Sequence, residues 1–127
     1  MSLENAIRTS WGSDTTSDAQ RWSAQNPAWG QCAVTACVLN DYLGGEIVWA
    51  QAQLPDGESI SHYFNKLPSG EIRDLTREQF PQGTVVPEGV PKTKQFATTR
   101  DYVLSFAVTR QRYETLRDRV GHSLQAP

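Results

Sequence analysis

The stretch that decides the fold covers residues 29–45 and reads WGQCAVTACVLNDYLGG. Its mostly apolar residues predict a buried helix over residues 31–43, and the glycine pair Gly44 and Gly45 predicts where that helix ends. Cys32 therefore lies in the first turn of the helix. The positive end of the helix dipole favours a thiolate at such a position. This stretch predicts a reactive cysteine at the start of the central helix.

Three strands are predicted after the helix. Residues 46–53, 60–67 and 71–75 form a meander of at least three antiparallel strands. The second turn of the meander, LPSG at residues 67–70, has proline second and glycine fourth, which is typical of a type I turn with a bulge. A central helix packed on an antiparallel sheet defines an α+β fold.

The register of the second hairpin decides which side chains meet. If Leu67 pairs with Glu71, Phe64 lies opposite Asp74, and His62 is diagonal to Asp74 on the same sheet face. Diagonal neighbours of this kind are close enough for side-chain contact. A slip of one residue would move Asp74 to the other face and separate it from His62.

Cys32, His62 and Asp74 have the composition of a thiol-based catalytic triad. A free thiol has a pKa of about 8.5, and a neighbouring imidazolium favours its thiolate. The predicted roles are nucleophile for Cys32, general base and then acid for His62, and orienting carboxylate for Asp74. The Cys32 backbone N–H is a predicted oxyanion donor. Candidates for a second donor are Gln25, Asn26 and Gln31.

Three aromatic residues adjoin the predicted nucleophile and base. Trp22, Trp29 and Tyr63 are the candidates for lining a substrate cleft, and core packing is the alternative role. Cys37 is five residues after Cys32, about 8 to 9 Å away on one helix, which is too far for a disulfide. Cys37 also lies about 140° from Cys32 around the helix, so it is predicted to point into the core. With no CxxC or HxxxH spacing, no metal or other cofactor is expected.

The remaining pattern predicts helices around this core and one long loop. Thr76 is predicted to cap a single helical turn, and the loop at residues 81–91 is predicted to skirt the core or cover a cleft. The other predicted helices span residues 3–11, a short segment capped by Thr98 or Thr99, and residues 108–120.

Composition limits the classes of protein. The chain has 127 residues, 38% of them hydrophobic and 20% charged, which predicts one globular domain over residues 1–127. Its net charge of -2 without a basic block disfavours nucleic acid as a partner. Apolar runs are too short to span a membrane. Two unpaired thiols and no predicted signal peptide indicate the cytoplasm. The sequence does not specify an oligomeric state.

These motifs resemble those of several thiol enzymes. Gly30-Gln31-Cys32 resembles the nucleophile motif of transglutaminases. The order of cysteine, strand histidine and next-strand aspartate is similar to the transglutaminase, arylamine acetyltransferase and NlpC/P60 branches of the papain-like superfamily. Ala33 stands where transglutaminases have tryptophan, and no calcium-ligand cluster is evident. The resemblance therefore does not extend to protein crosslinking.

A more specific resemblance is to the small bacterial YunG-like family. It rests on the blocks NPAWGQCAVTA at residues 26–36, SHYFNKLP at residues 61–68 and DLTREQF at residues 74–80, and it extends over about residues 7–120. The resemblance implies a compact papain-like core with Cys32, His62 and Asp74 at its centre. It implies no particular reaction.

Two functions are consistent with these observations. The first is thiol-dependent hydrolysis or transfer of an acyl or amide group through a thioester on Cys32, with a peptide or small molecule as the substrate. The second is a binding or structural module that keeps the papain-like core without turnover and holds a peptide or small metabolite. The reactivity of Cys32 distinguishes the two.

Overall fold

The computed structural model describes residues 1–125, so the last two positions of the single domain predicted over residues 1–127 lie outside the described part. The described helices and antiparallel strands confirm the predicted α+β class. In chain order the elements are α1 (Leu3–Ser10), α2 (Cys32–Leu43), β1 (Glu46–Gln53), β2 (Ser59–Lys66), β3 (Ile72–Arg73), a 3₁₀ helix (Leu75–Gln79), α3 (Thr99–Leu104) and α4 (Ala107–Gln125).

Helix α2 is the centre of the core. It is buried almost all round, because α1 and α4 cover one side and the sheet covers the other. Burying each of its larger apolar side chains stabilises the fold by about 1.5 to 3 kcal/mol. Gly44 ends the helix in a left-handed conformation, and its N–H donates to the Asn40 carbonyl at 3.0 Å. This packing fixes the position of the first turn of α2, which carries Cys32.

The sheet has the strand order β1-β2-β3, and both pairs are antiparallel. Asn65 pairs with Arg73 in β3, and the Leu67 N–H donates to the Glu71 carbonyl at 2.8 Å. Continued by one residue, this register sets Phe64 opposite Asp74. The register predicted from the turn sequence is confirmed.

The chain leaves β3 earlier than predicted. The strand stops at Arg73, and the buried side chain of Leu75 begins a 3₁₀ helix that packs against α2. The prediction that Thr76 caps this helical turn is wrong, because Thr76 lies inside it. Asp74 holds the capping position, yet its side chain makes no cap hydrogen bond. The Asp74 carboxylate is therefore free to bind elsewhere.

Residues 81–91 run along the outer edge of β1. Val85 exchanges two backbone hydrogen bonds with Gln53, at 2.8 and 2.9 Å, and Val90 exchanges two with Trp49, at 2.7 and 2.8 Å. The segment therefore protects an edge strand from pairing with another chain. Between these two pairs, residues 86–89 lie over Val48 and Phe64 and line a cavity with Asp74, so the segment skirts the core and also covers a cavity.

Helix α4 extends beyond the predicted range of residues 108–120 at both ends. Its buried residues are Tyr113, Leu116 and Val120, which are the predicted inner-face residues. Among residues 1–125, no helix combines the length and apolarity that crossing a membrane requires.

Candidate active site

A glycine places the start of α2. Gly30 has φ +73°, and a Cβ atom there would lie 2.1 Å from the Thr16 hydroxyl oxygen, so another residue at this position would be strained. Its N–H donates to the Gln79 side-chain oxygen at 3.2 Å. Gln31 follows as the N-cap residue but makes no side-chain cap hydrogen bond. The N–H groups of the first turn, including that of Cys32, therefore have no capping side chain.

Cys32 lies against the part of β2 that β3 does not cover. Within the described residues, β3 pairs with Asn65 and Lys66 alone, which leaves the backbone of Ser61 open on that side. The Cys32 sulfur is 4.0 Å from the Ser61 carbonyl oxygen. The early end of β3 therefore makes room for the Cys32 side chain beside the strand that carries His62.

His62 and Asp74 form the contact that the hairpin register predicts. The His62 Nε2 atom lies 2.9 and 2.8 Å from the two carboxylate oxygens of Asp74. The His62 side chain is fully buried, and that of Asp74 is 14% exposed. A buried pair at these distances fixes the imidazole ring and stabilises its protonated form.

Two aromatic rings hold the imidazole from the other directions. The Phe64 ring is stacked on it at a centroid distance of 5.4 Å, and the Phe80 ring meets it edge-on at 5.0 Å. The second ring nitrogen, Nδ1, is buried and has no hydrogen-bond partner among residues 1–125. A buried polar atom left without a partner requires an explanation, and a functional role is one of the commonest.

The pKa of His62 is raised to about 9. Burial acts in the opposite direction and is the largest single influence, because it disfavours the charged ring. The hydrogen bond to Asp74 and the influence of the neighbouring Cys32 thiol together outweigh it. Since Asp74 occupies Nε2, the nitrogen that remains for the Cys32 sulfur is Nδ1. The carboxylate thus holds the ring at Nε2, and Nδ1 keeps no hydrogen-bond partner among residues 1–125.

The second cysteine has the opposite environment. Cys37 is fully buried in the core, as predicted, and neither cysteine forms a disulfide. Burial, the largest influence, raises the pKa of the Cys37 thiol to about 12. At neutral pH, Cys37 is therefore a protonated core residue, and it provides an internal control for the reactivity of Cys32.

None of the three candidate oxyanion donors lines the cleft at Cys32. The Gln31 side chain is fully buried, and its amide donates to the Gly12 carbonyl at 3.0 Å. The Asn26 amide donates to the Gln79 carbonyl at 3.0 Å. Gln25 is exposed and lines a separate cavity beside Trp29. None of these contacts supports the predicted role, because the amides of Gln31 and Asn26 are used in holding loops together.

Tyr63 alone of the three aromatic candidates lines the cleft at Cys32. The Trp22 indole donates to the Pro27 carbonyl at 2.9 Å, which fastens its own loop. The Trp29 ring is buried, packs edge-on against Phe80 and donates to Asp18 at 3.2 Å. The two tryptophans therefore have the alternative role of packing.

Sequence reasoning missed three residues of the site. Phe80 packs on His62, and Ser17 and Phe106 line the cleft at Cys32. Each is distant in sequence from the residue that it approaches, which is His62 for Phe80 and Cys32 for Ser17 and Phe106. The sequence pattern predicts only a loop, a turn or a helix boundary at these positions. The one available signal in the sequence is an aromatic residue between two predicted helices, at Phe106.

The site has no arrangement that suits a metal ion. Among residues 1–125, no three histidine, cysteine, aspartate or glutamate side chains are grouped as metal ligands. Both carboxylate oxygens of Asp74 contact the Nε2 atom of His62, so these atoms are already used in hydrogen bonds between the two side chains.

The site combines a thiol in the first turn of a helix with a buried histidine that an aspartate holds, and it lies on a small α+β domain. The family model described as YunG protein matches residues 1–125, so the chain belongs to the YunG family. A relative in Bacillus subtilis strain 168, described as uncharacterized protein YunG, is 30% identical over 91 residues, which cover 72% of this chain and 70% of that protein. No solved structure matches the chain.

Proposed function

We propose that this protein is a thiol-dependent acyl hydrolase or acyltransferase with a papain-like Cys-His-Asp core. Cys32 is the nucleophile, His62 is the general base and acid, and Asp74 holds the imidazole. The order of the three residues along the chain and the position of the cysteine at a helix N-terminus support the papain-like assignment.

One observation carries the proposal. His62 is fully buried, its Nε2 is held by both oxygens of Asp74, and its Nδ1 has no partner among the described residues on the side left to Cys32. A purely structural histidine in this position would be expected to use both nitrogens. A ring that is fixed at one nitrogen and open at the other is suited to moving a proton to and from a thiol.

The reaction follows from these positions. The Cys32 thiolate attacks the carbonyl carbon of an ester or amide, and the new C–S bond moves an electron pair onto the carbonyl oxygen. The Cys32 N–H, at the uncapped start of α2, donates to this oxyanion. The His62 imidazolium then gives its proton to the leaving alcohol or amine as the C–O or C–N bond breaks.

The second half of the reaction regenerates the thiol. Water or an acceptor amine attacks the thioester while His62 takes its proton, and the Cys32 sulfur leaves as the thiolate. Asp74 stabilises the imidazolium by its hydrogen bonds to Nε2. Both half-reactions need the same two side chains in contact, and hydrolysis and transfer differ only in the acceptor.

An acyl adduct on Cys32 is the expected result when the protein is incubated with p-nitrophenyl acetate at pH 7. Intact-mass spectrometry should show one acetyl group on the wild type and on Cys37→Ala, because the thiol of Cys37 stays protonated in the core. Cys32→Ala should show none, and its helix should remain folded because alanine is a strong helix former. An adduct that depends on Cys37, or the absence of both an adduct and a Cys32-dependent release of p-nitrophenol, would reject the acyl-transfer proposal in favour of a binding module.

A further inference from the structure

The cleft that opens at Cys32 is small and has an unusual lining. Its volume is about 230 Å³, which is below the roughly 300 to 1,000 Å³ of pockets for drug-sized ligands. No carboxylate and no basic side chain is among the described residues that line it. These residues are Ser17, Gly30, Cys32, Ala33, Ser61, Tyr63, Val103, Phe106 and Thr109.

One wall of this cleft is aromatic and exposed. Phe106, at the junction of α3 and α4, leaves 52% of its surface accessible while it lines the cleft. Its ring packs edge-on against Tyr102 at a centroid distance of 5.3 Å, and Tyr102 packs in turn against Phe96 at 6.2 Å. Phe96, Tyr102 and Phe106 thus form an aromatic row that holds the Phe106 ring in place. The exposed part of this ring is an apolar surface beside Cys32.

The polar part of the lining is neutral. It consists of the hydroxyl groups of Ser17, Ser61 and Thr109 and the phenol of Tyr63. The Ser61 hydroxyl accepts a hydrogen bond from the Trp49 indole at 2.5 Å. Burial, the largest influence, raises the pKa of Tyr63 to about 12, so this phenol also carries no charge at neutral pH.

Charge and size together restrict what can enter. A charged group in this cleft would lose water and find no opposite charge among the lining side chains, which is unfavourable. The His62 imidazolium is fully buried and is not one of the lining residues. A ring the size of phenyl would fit the volume and could pack against Phe106 as the aromatic residues of the row pack against one another.

We propose that the cleft selects a small, uncharged aromatic acyl group, seated against Phe106 with its carbonyl carbon at the Cys32 sulfur. The assignment rests on the proposed acyl-transfer function and narrows its substrate class to neutral aromatic esters or amides. Phe106 determines this specificity, and Val103 and Tyr63 form the sides of the site.

A panel of alkylating reagents tests the selectivity without requiring turnover. Iodoacetamide, N-benzyl iodoacetamide and its para-carboxy derivative each alkylate a thiol, and each rate is divided by the rate with glutathione. We expect the normalised rate at Cys32 to be about 10-fold higher for the benzyl reagent than for iodoacetamide. The para-carboxylate should remove that advantage, because the cleft offers it no countercharge.

Two variants assign the preference to one wall of the cleft. Phe106→Ala should lower the benzyl to iodoacetamide rate ratio to about 1, whereas Phe96→Ala should keep it, since Phe96 is exposed in the same row but does not line the cleft. Equal normalised rates for the three reagents, or a benzyl preference unchanged in Phe106→Ala, would overturn the assignment while leaving acyl transfer intact. A benzyl preference without an acetyl adduct and without Cys32-dependent release of p-nitrophenol from p-nitrophenyl acetate would reject acyl transfer and retain the aromatic cleft.

Discussion

His62→Gln is expected to lower the rate of Cys32 acylation by about 10³-fold, the usual contribution of a positioned general base. Glutamine carries an amide nitrogen that can replace His62 Nε2, which now lies 2.8 Å from an Asp74 oxygen. It has no group that corresponds to Nδ1, so the thiol proton loses its acceptor. Release of p-nitrophenol in a single turnover at pH 7 measures this rate.

The exposed histidine of the last helix provides the matched control. His122→Gln makes the same chemical change in α4, far along the chain from the site, and should acylate at the wild-type rate. A folded His62→Gln protein that acylates as fast as the wild type would show that Cys32 does not use His62.

The free energy of unfolding is expected to fall by about 3 kcal/mol between pH 5 and pH 9 because of His62. Its pKa is raised from the ordinary 6.5 to about 9 in the folded protein, so the folded state binds the ring proton more tightly than the unfolded state does. The stabilisation is therefore complete below pH 6.5 and is lost as the pH rises through 9. Urea unfolding curves at half-unit pH intervals measure this change.

The comparison that isolates this effect is again between the two histidine variants. His62→Gln should remove most of the pH dependence in this window, and His122→Gln should retain it. Measurements stop at pH 9 because deprotonation of Cys37 in the unfolded state adds a second pH-dependent contribution above that value. If the stability of His62→Gln depends on pH as that of the wild type does, His62 is not held protonated by its neighbours.

The part of the site that local sequence rules determine was predictable. The turn at residues 67–70 sets the register of its hairpin, since Gly70 adopts φ +91° and its N–H donates to the Leu67 carbonyl at 2.8 Å. That register alone brings Asp74 to the diagonal position from His62. Likewise, the glycine pair at residues 44–45 and the apolar run before it predict α2 to within one residue.

The part that depends on tertiary packing was not predictable. Leu75 leaves the strand because α2 offers it a buried site, and this ends β3 early and moves the cap position from Thr76 to Asp74. Nothing local to residues 71–76 indicates that preference. In the same way, Phe106 reaches the cleft only because α3 and α4 meet beside the start of α2, a contact between residues more than 70 positions apart.

The coupling of Cys32, His62 and Asp74 is tested most directly by the pH profile of Cys32 alkylation in Asp74→Asn. The measurement uses iodoacetamide in a Cys37→Ala background, so that Cys32 is the thiol that reacts. Asparagine keeps the shape of the side chain but removes the charge that stabilises the imidazolium, and the imidazolium in turn favours the thiolate. We predict that the half-maximal rate moves upward by about one pH unit or more. Superimposable profiles for Asp74→Asn and its parent would contradict the account, because Asp74 would then have no influence on the thiol.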